Sequence, residues 1–155
     1  MLKLIEQDIM SLTSGNIFQQ VNCQGVMRSG LAKTIKEKYP QVEAQYLEYC
    51  NRVSNPLDRL GDVLEVDVNM NLSIINIFGQ FTYGSAPGVR HTEYAALKQA
   101  FQKINDSALL YGNNVAYFPY LFGCNRGGGD WNIVQELIER YFPRAIIYKL
   151  PEDEK

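Results

Sequence analysis

Apolar positions along the chain change period several times, and each change predicts an element. Leu2 to Glu6 alternates in part and reads as a first strand. Asn16 to Cys23 carries Ile17, Phe18 and Val21 and reads as a buried strand, although the pair Gln19-Gln20 interrupts it. From Gly30 to Tyr39 the period becomes helical, with Leu31, Ile35 and Tyr39 four apart and Lys33, Lys36 and Lys38 turned to water. Pro40 ends that helix, and Gln41 to Cys50 predicts a second one that buries Val42, Tyr46 and Tyr49. Asn55-Pro56-Leu57-Asp58 is a turn signal. Strands follow at Gly61–Val68 and Leu72–Phe78, then a loop over Phe81–Gly88. A long helix is expected from Thr92, as its N-cap, to Leu110, with Tyr94, Leu97, Phe101 and Ile104 as its apolar stripe. An apolar run at Asn114–Phe118, a helix at Trp131–Tyr141 and a strand at Arg144–Leu150 complete the series.

Strands alternating with helices imply an α/β fold of three layers, α/β/α, around a mixed central sheet. The 155 residues fit one domain, residues 1–150, with a short polar tail at 151–155 that is expected to fray. No repeat or linker divides the chain.

Two glycine-bearing loops then stand out, each between a predicted strand and a predicted helix. The first is Gly25-Val26-Met27-Arg28-Ser29-Gly30, leading into Leu31. The second is Leu121-Phe122-Gly123-Cys124-Asn125-Arg126-Gly127-Gly128-Gly129, leading to Asp130-Trp131. Glycines in such places let backbone N–H groups converge on one point and let a ligand approach the main chain. The following helix N-terminus favours negative charge there. In open α/β sheets, ligands sit beyond the carboxyl ends of the strands. Two such loops suit a ligand with more than one phosphate. The plainer readings are a turn that starts a helix for the first loop and a surface loop for the second. Arg126 reads equally as a solvated side chain and as a phosphate clamp.

Composition narrows the partners. A net charge of −2 and a pI near 5.4 argue against broad nucleic-acid binding, which needs a basic surface. No apolar run reaches the roughly 18–20 residues that span a bilayer. Cys23, Cys50 and Cys124 are odd in number and widely spaced, so neither a disulfide framework nor a zinc site is expected. With one histidine, a multi-histidine metal centre is excluded; no metal and no cofactor is expected, and the compartment expected is a reducing, cytoplasmic one.

Several motifs fail on register. Leu31-Ala32 follows Gly30 where a Walker A loop needs Lys and a hydroxyl. No Gly-x-Gly-x-x-Gly is present. Cys23 and Arg28 are one residue too close for a cysteine phosphatase loop. His91, beside the predicted helix start, suits a cap or solvated role as well as a proton donor near phosphate. Asn22 is a structural amide or a sugar contact. Asp8 is a turn residue or an acceptor for an exocyclic amine. Trp131 and Tyr148 read first as core.

Taken in order, Gln7-Asp8-Ile9, Val21-Asn22-Cys23-Gln24-Gly25 through Gly30-Leu31-Ala32, Gly123-Cys124 through Asp130-Trp131, and Ile147-Tyr148-Lys149-Leu150 resemble a macro domain, the ADP-ribose-binding fold. Val26-Met27 in the first loop and Gly123-Cys124 in the second are similar to the branch with ADP-ribose 1''-phosphate phosphatases. The resemblance implies that Asp8 binds the adenine amino group, that the Ile9 backbone meets a ring nitrogen, and that Tyr148 lies against the base. It implies Asn22 on the distal ribose and Val26 through Leu31 along one side of the diphosphate. Gly123 through Gly127 line the other side and face any 1''-phosphate. Its expected activity is hydrolysis of ADP-ribose 1''-phosphate to ADP-ribose and phosphate, with Asn22 positioning the ribose and His91 orienting water or protonating the leaving oxygen. Alternatives are a non-catalytic ADP-ribose sensor, a hydrolase freeing ADP-ribose from modified protein or nucleic acid, and an unrelated nucleotide-binding domain. In the hydrolase relatives a lysine follows the central strand and an aspartate lies in the second loop. Gln80 and Gly127 take those places here, and Asp130 beside Trp131 suits a helix N-cap, so a lysine nucleophile is unsupported.

Overall fold

The computed structural model describes residues 1–107 and 115–151. Six strands and four helices alternate: β1 (Lys3–Glu6), β2 (Gly15–Asn22), α1 (Gly30–Lys38), α2 (Pro40–Arg52), β3 (Val63–Asp67), β4 (Leu72–Gln80), α3 (Tyr94–Asp106), β5 (Ala116–Pro119), α4 (Trp131–Tyr141) and β6 (Ile146–Lys149). They form one mixed sheet in the order β1-β6-β5-β2-β4-β3. All neighbouring pairs are parallel except β3, which runs antiparallel to β4 at an edge. The carboxyl ends of β1, β6, β5, β2 and β4 therefore share one rim.

Alternation along β2 divides the core. Ile17 and Val21 join Ile35, Val42, Tyr46 and Cys50 of α1 and α2 on one face. Phe18 joins Leu97, Phe101, Val134 and Ile138 of α3 and α4 on the other. This is the three-layer arrangement that the alternating pattern predicts. No helix among the described residues is long and apolar enough to cross a membrane.

Some element boundaries differ from the sequence expectation. Pro40 opens α2 at its first turn and does not merely end α1, because proline lacks only an N–H that a helix start leaves unused. Thr92 is not the cap of α3. It is wholly buried, pairs with Gln80 in an isolated bridge, and leaves Glu93 as the residue before the helix. That helix ends at Asp106, with Ser107 following; its expected continuation to Leu110 falls outside the described residues, as do Asn114 at the start of the fifth strand and most of the tail. Asp130 does cap α4: its carboxylate accepts from the Asn132 amide at 2.9 Å.

Candidate functional site

Because β2 and β5 are adjacent and parallel, the two glycine loops leave the sheet side by side. β4 sends a third loop, Phe81 to His91, from the same edge. Between them lies a cavity of about 490 Å³. Asn22, Val26, Arg28, Ser29, Gly30, Leu31 and Ala32 line its first side. Tyr120, Leu121, Phe122, Gly123, Asn125, Arg126 and Gly127 line the second. Gln19, Gln20, Gln80, Tyr83, Gly84, Ser85 and Pro119 complete it.

The backbone chemistry of both sides is the same. The amides of Arg28, Ser29, Gly30, Leu31 and Ala32 have no acceptor among the described residues, and Ser29 does not use its side chain to cap α1. The amides of Gly123, Asn125, Arg126 and Gly127 likewise have none. Unpaired N–H groups at a lined cavity, with a helix start on one side, form an anion cradle. Charge agrees with this. Among the described lining residues the only charged side chains are Arg28 and Arg126, one on each loop, and neither forms an ion pair with a described carboxylate. Leu121 is the one non-glycine described residue at positive φ, 63°, a strain of about 1–2 kcal/mol. Strain of this kind concentrates where a loop is held for a ligand.

The first loop is braced from below. The Tyr46 hydroxyl donates to Asn22 O at 2.6 Å and accepts from the Gly25 amide at 3.1 Å. Asn22 is mostly spent inside the loop. Its Nδ2 donates to Val26 O at 2.8 Å, and its Oδ1 accepts from the Gln24 amide at 2.9 Å. Gly25 sits at φ +76°, in the turn, and outside the lining. Met27 is buried in the core.

Other expected site residues are placed elsewhere. Asp8, Ile9 and Tyr148 are not in the cavity lining. The exposed Asp8 carboxylate accepts from the Met10 amide at 2.9 Å, capping a 3-10 turn. Ile9 is buried, and Tyr148 packs edge-on against Tyr117 in the core. Cys124 is beside the cavity and not part of it; its thiol donates to Phe122 O at 3.3 Å. Burial, with Asp130 nearby, pushes that thiol up to about 12, so it stays protonated and is no nucleophile. His91 is set behind the lining: its backbone amide donates to Gly127 O at 2.8 Å, and its imidazole packs toward Gly84. Among the described residues, no group of three or more His, Cys, Asp or Glu is placed to hold a metal ion.

Residues that sequence reasoning did not assign include Gln19, Gln20, Tyr83 and Tyr120. The signal for the glutamines was present: two adjacent amides interrupt an apolar strand at its carboxyl end, where α/β sheets place ligands.

The brace under the first loop titrates only at high pH. Burial pushes the Cys23 thiol up to about 12 and raises the Tyr46 phenol. The folded state therefore keeps protons that the unfolded chain loses from about pH 8.5 for the thiol and about 10 for the phenol. That stability is complete below those values and is lost as pH rises through the folded ones. The melting temperature is expected to be level from about pH 6 to 8 and to fall above about 9, with Cys23→Ala flattening the first part of the fall. A profile level up to pH 11 would contradict this account.

No family model and no curated protein matches the chain. Solved structures do match. A Bacteroides thetaiotaomicron protein of unknown function superposes with a TM-score of 0.82 at 22% identity, over 97% of this chain and 98% of that one. The macrodomain of Mycobacterium tuberculosis DarG gives 0.76 at 21% identity, over 97% and 98%. Thermosipho africanus DarTG, solved in complex with ADP-ribose, gives 0.75 at 19% identity, over 98% of this chain and 42% of that one. The chain has the macrodomain fold.

Proposed function

We propose that this chain binds ADP-ribose, or a derivative of it, across the rim of the sheet. One observation carries the reading: two facing rows of backbone amides, each with one arginine, that have no acceptor among the described residues, in a cavity whose described lining holds no carboxylate. Such a cradle suits a diphosphate, with charge-assisted bonds from Arg28 and Arg126. Asp8 and Ile9 follow β1 on the same rim, two strand positions from β5, about 10 Å away at the usual strand spacing. An adenine held there by Asp8 places the diphosphate between β5 and β2 and the distal ribose toward Gln20 and Gln80. The ADP-ribose found with the Thermosipho protein, 42% of which this chain matches, and with the Oceanobacillus iheyensis macrodomain mutant supports this choice of ligand.

Calorimetry with ADP-ribose tests the reading. Binding is expected, weakening with salt because the partners are charged. Arg28→Ala and Arg126→Ala are each expected to weaken it about tenfold. Absence of heat at millimolar ADP-ribose would end the proposal.

A second reading is hydrolysis of ADP-ribose 1''-phosphate. It is favoured by Arg126 and the amides of Gly123, Asn125, Arg126 and Gly127, which suit a terminal phosphate as well as an internal one. His91 is the only imidazole near that end, behind Gly84. Release of phosphate, reduced more than affinity by His91→Ala, would establish it; binding without release leaves a sensor. Removal of ADP-ribose from macromolecules draws no support from Gln80, whose amide is engaged with Gln20 and Thr82, or from Gly127, where no side chain fits.

A further inference from the structure

Beneath the second glycine loop runs a chain of neutral side chains. Gln80 Nε2 donates to Thr82 O at 2.7 Å, and Gln80 Oε1 accepts from Gln20 Nε2 at 2.6 Å. The same Gln20 nitrogen donates to Thr92 Oγ1 at 2.8 Å, and the Thr92 hydroxyl donates to Gly123 O at 2.6 Å. A main-chain carbonyl at each end sets the polarity of the whole chain. Carbonyl oxygens only accept, so Gln80 must turn its NH2 to Thr82, and Thr92 must spend its single proton on Gly123. Gln20 is then held with its nitrogen between two acceptors. Its Oε1 is left buried without a partner.

A stranded buried acceptor is unfavourable, and an apolar trio of similar shape would avoid it. What the chain secures is the second loop. Thr92 Oγ1 takes Gly123 O, while the amides of His91 and Thr92 both take Gly127 O, at 2.8 and 2.9 Å. These two carbonyls are drawn into the scaffold. The amides of Gly123, Asn125, Arg126 and Gly127 are the donors left over. Gln20 and Thr92 also fill the space that a side chain at position 127 would need.

The geometry points to Gln20 and Thr92 as positioning residues that fix the second loop's amides, and so set selectivity for ligands reaching past their first phosphate. This inference rests on the ADP-ribose reading and assigns the residues that give that site its reach. It treats AMP, which ends at one phosphate, as the ligand least dependent on the linkage.

The test compares ADP-ribose with AMP by calorimetry, for the wild type, Thr92→Val, Thr92→Ser and Gln20→Met. Thr92→Val keeps shape and loses the hydroxyl. It is expected to weaken ADP-ribose about tenfold and AMP less than about twofold. Thr92→Ser keeps the hydroxyl and is expected to restore ADP-ribose affinity to within about threefold. In the free protein, hydrogen exchange at the paired amides of Cys124, Gly128 and Gly129 is expected to quicken about tenfold in Thr92→Val, with the paired amides of Gln24 and Gly25 in the first loop unchanged. Gln20→Met, which breaks the chain at its centre, is expected to quicken exchange in the second loop of the free protein as Thr92→Val does, an effect that loss of a direct contact from Gln20 to the ribose would not produce. Equal weakening of both ligands, failure of serine to rescue, or unchanged exchange in the second loop would each overturn the assignment. Wild-type protein that binds neither ligand would instead refute the proposed function, and the exchange comparison would still judge the linkage.

Discussion

Gly127→Asp is expected to abolish ADP-ribose binding, by at least about 100-fold, while AMP binding survives in part. Glycine 127 is in ordinary backbone territory, so conformation does not demand it. Space does. A Cβ there would be 2.4 Å from Thr92 Oγ1, 2.6 Å from Gly123 O and 3.0 Å from Gln20 Nε2. One of those contacts is main chain, so the loop itself must move. Moving it withdraws hydrogen bonds to a charged ligand, each about 1.5–3 kcal/mol or about 10- to 100-fold in affinity, and the added carboxylate puts negative charge into an anion cradle. Gly30→Ala is the control. It is at φ +59° with nothing within 4 Å of a new Cβ, so it meets conformational strain only, about 1–2 kcal/mol. Calorimetry on both variants, with melting curves, separates the effects. A Gly127→Asp protein that binds ADP-ribose as the wild type does would show that the second loop is not part of the site.

The second large effect is on stability. Tyr46→Phe removes a single oxygen from a wholly buried ring. Asn22 O loses its donor at 2.6 Å, and the Gly25 amide loses its acceptor at 3.1 Å. Each group left without a partner costs about 1–3 kcal/mol, so the variant is expected to lose about 3 kcal/mol. For a domain of this size that is a fall of about 6–12 °C in melting temperature. Because those two groups hold the turn before Val26, ADP-ribose affinity is expected to fall with it. A melting temperature within about 2 °C of the wild type would show that the hydroxyl braces nothing.

Much of this was legible in the residues. Leu31, Ile35 and Tyr39, or Leu97, Phe101 and Ile104, recur at the helical period because only that spacing puts them on one face. The two glycine loops were legible because glycine crowding between a strand and a helix has few structural uses. The Asp130 cap was legible too, since an acidic residue before a patterned helix satisfies its first amides. Asp8 and Tyr148 were less so. The same Asp that suits an adenine amine also caps the turn at Met10, and the same Tyr that suits a base packs on Tyr117. Local identity does not decide between two bonds of similar strength.

Thr92 shows the limit most plainly. A threonine before an apolar stripe is an N-cap by any local rule, yet here it is buried 31 residues before the loop carbonyl it holds. Gln19-Gln20 looked like a flaw in a strand, and Gln20 turns out to be the middle of a side-chain chain joining two loops. The layers, the helical faces and the presence of two amide-rich turns are written in the residue order alone, because periodicity and glycine act over a few neighbouring residues. Folding had to settle that β2 and β5 lie side by side, that their loops enclose one cavity, and which polar groups remain unpaired within it. Those depend on contacts between residues far apart in the chain, and no local pattern encodes a hydrogen bond that is left unmade.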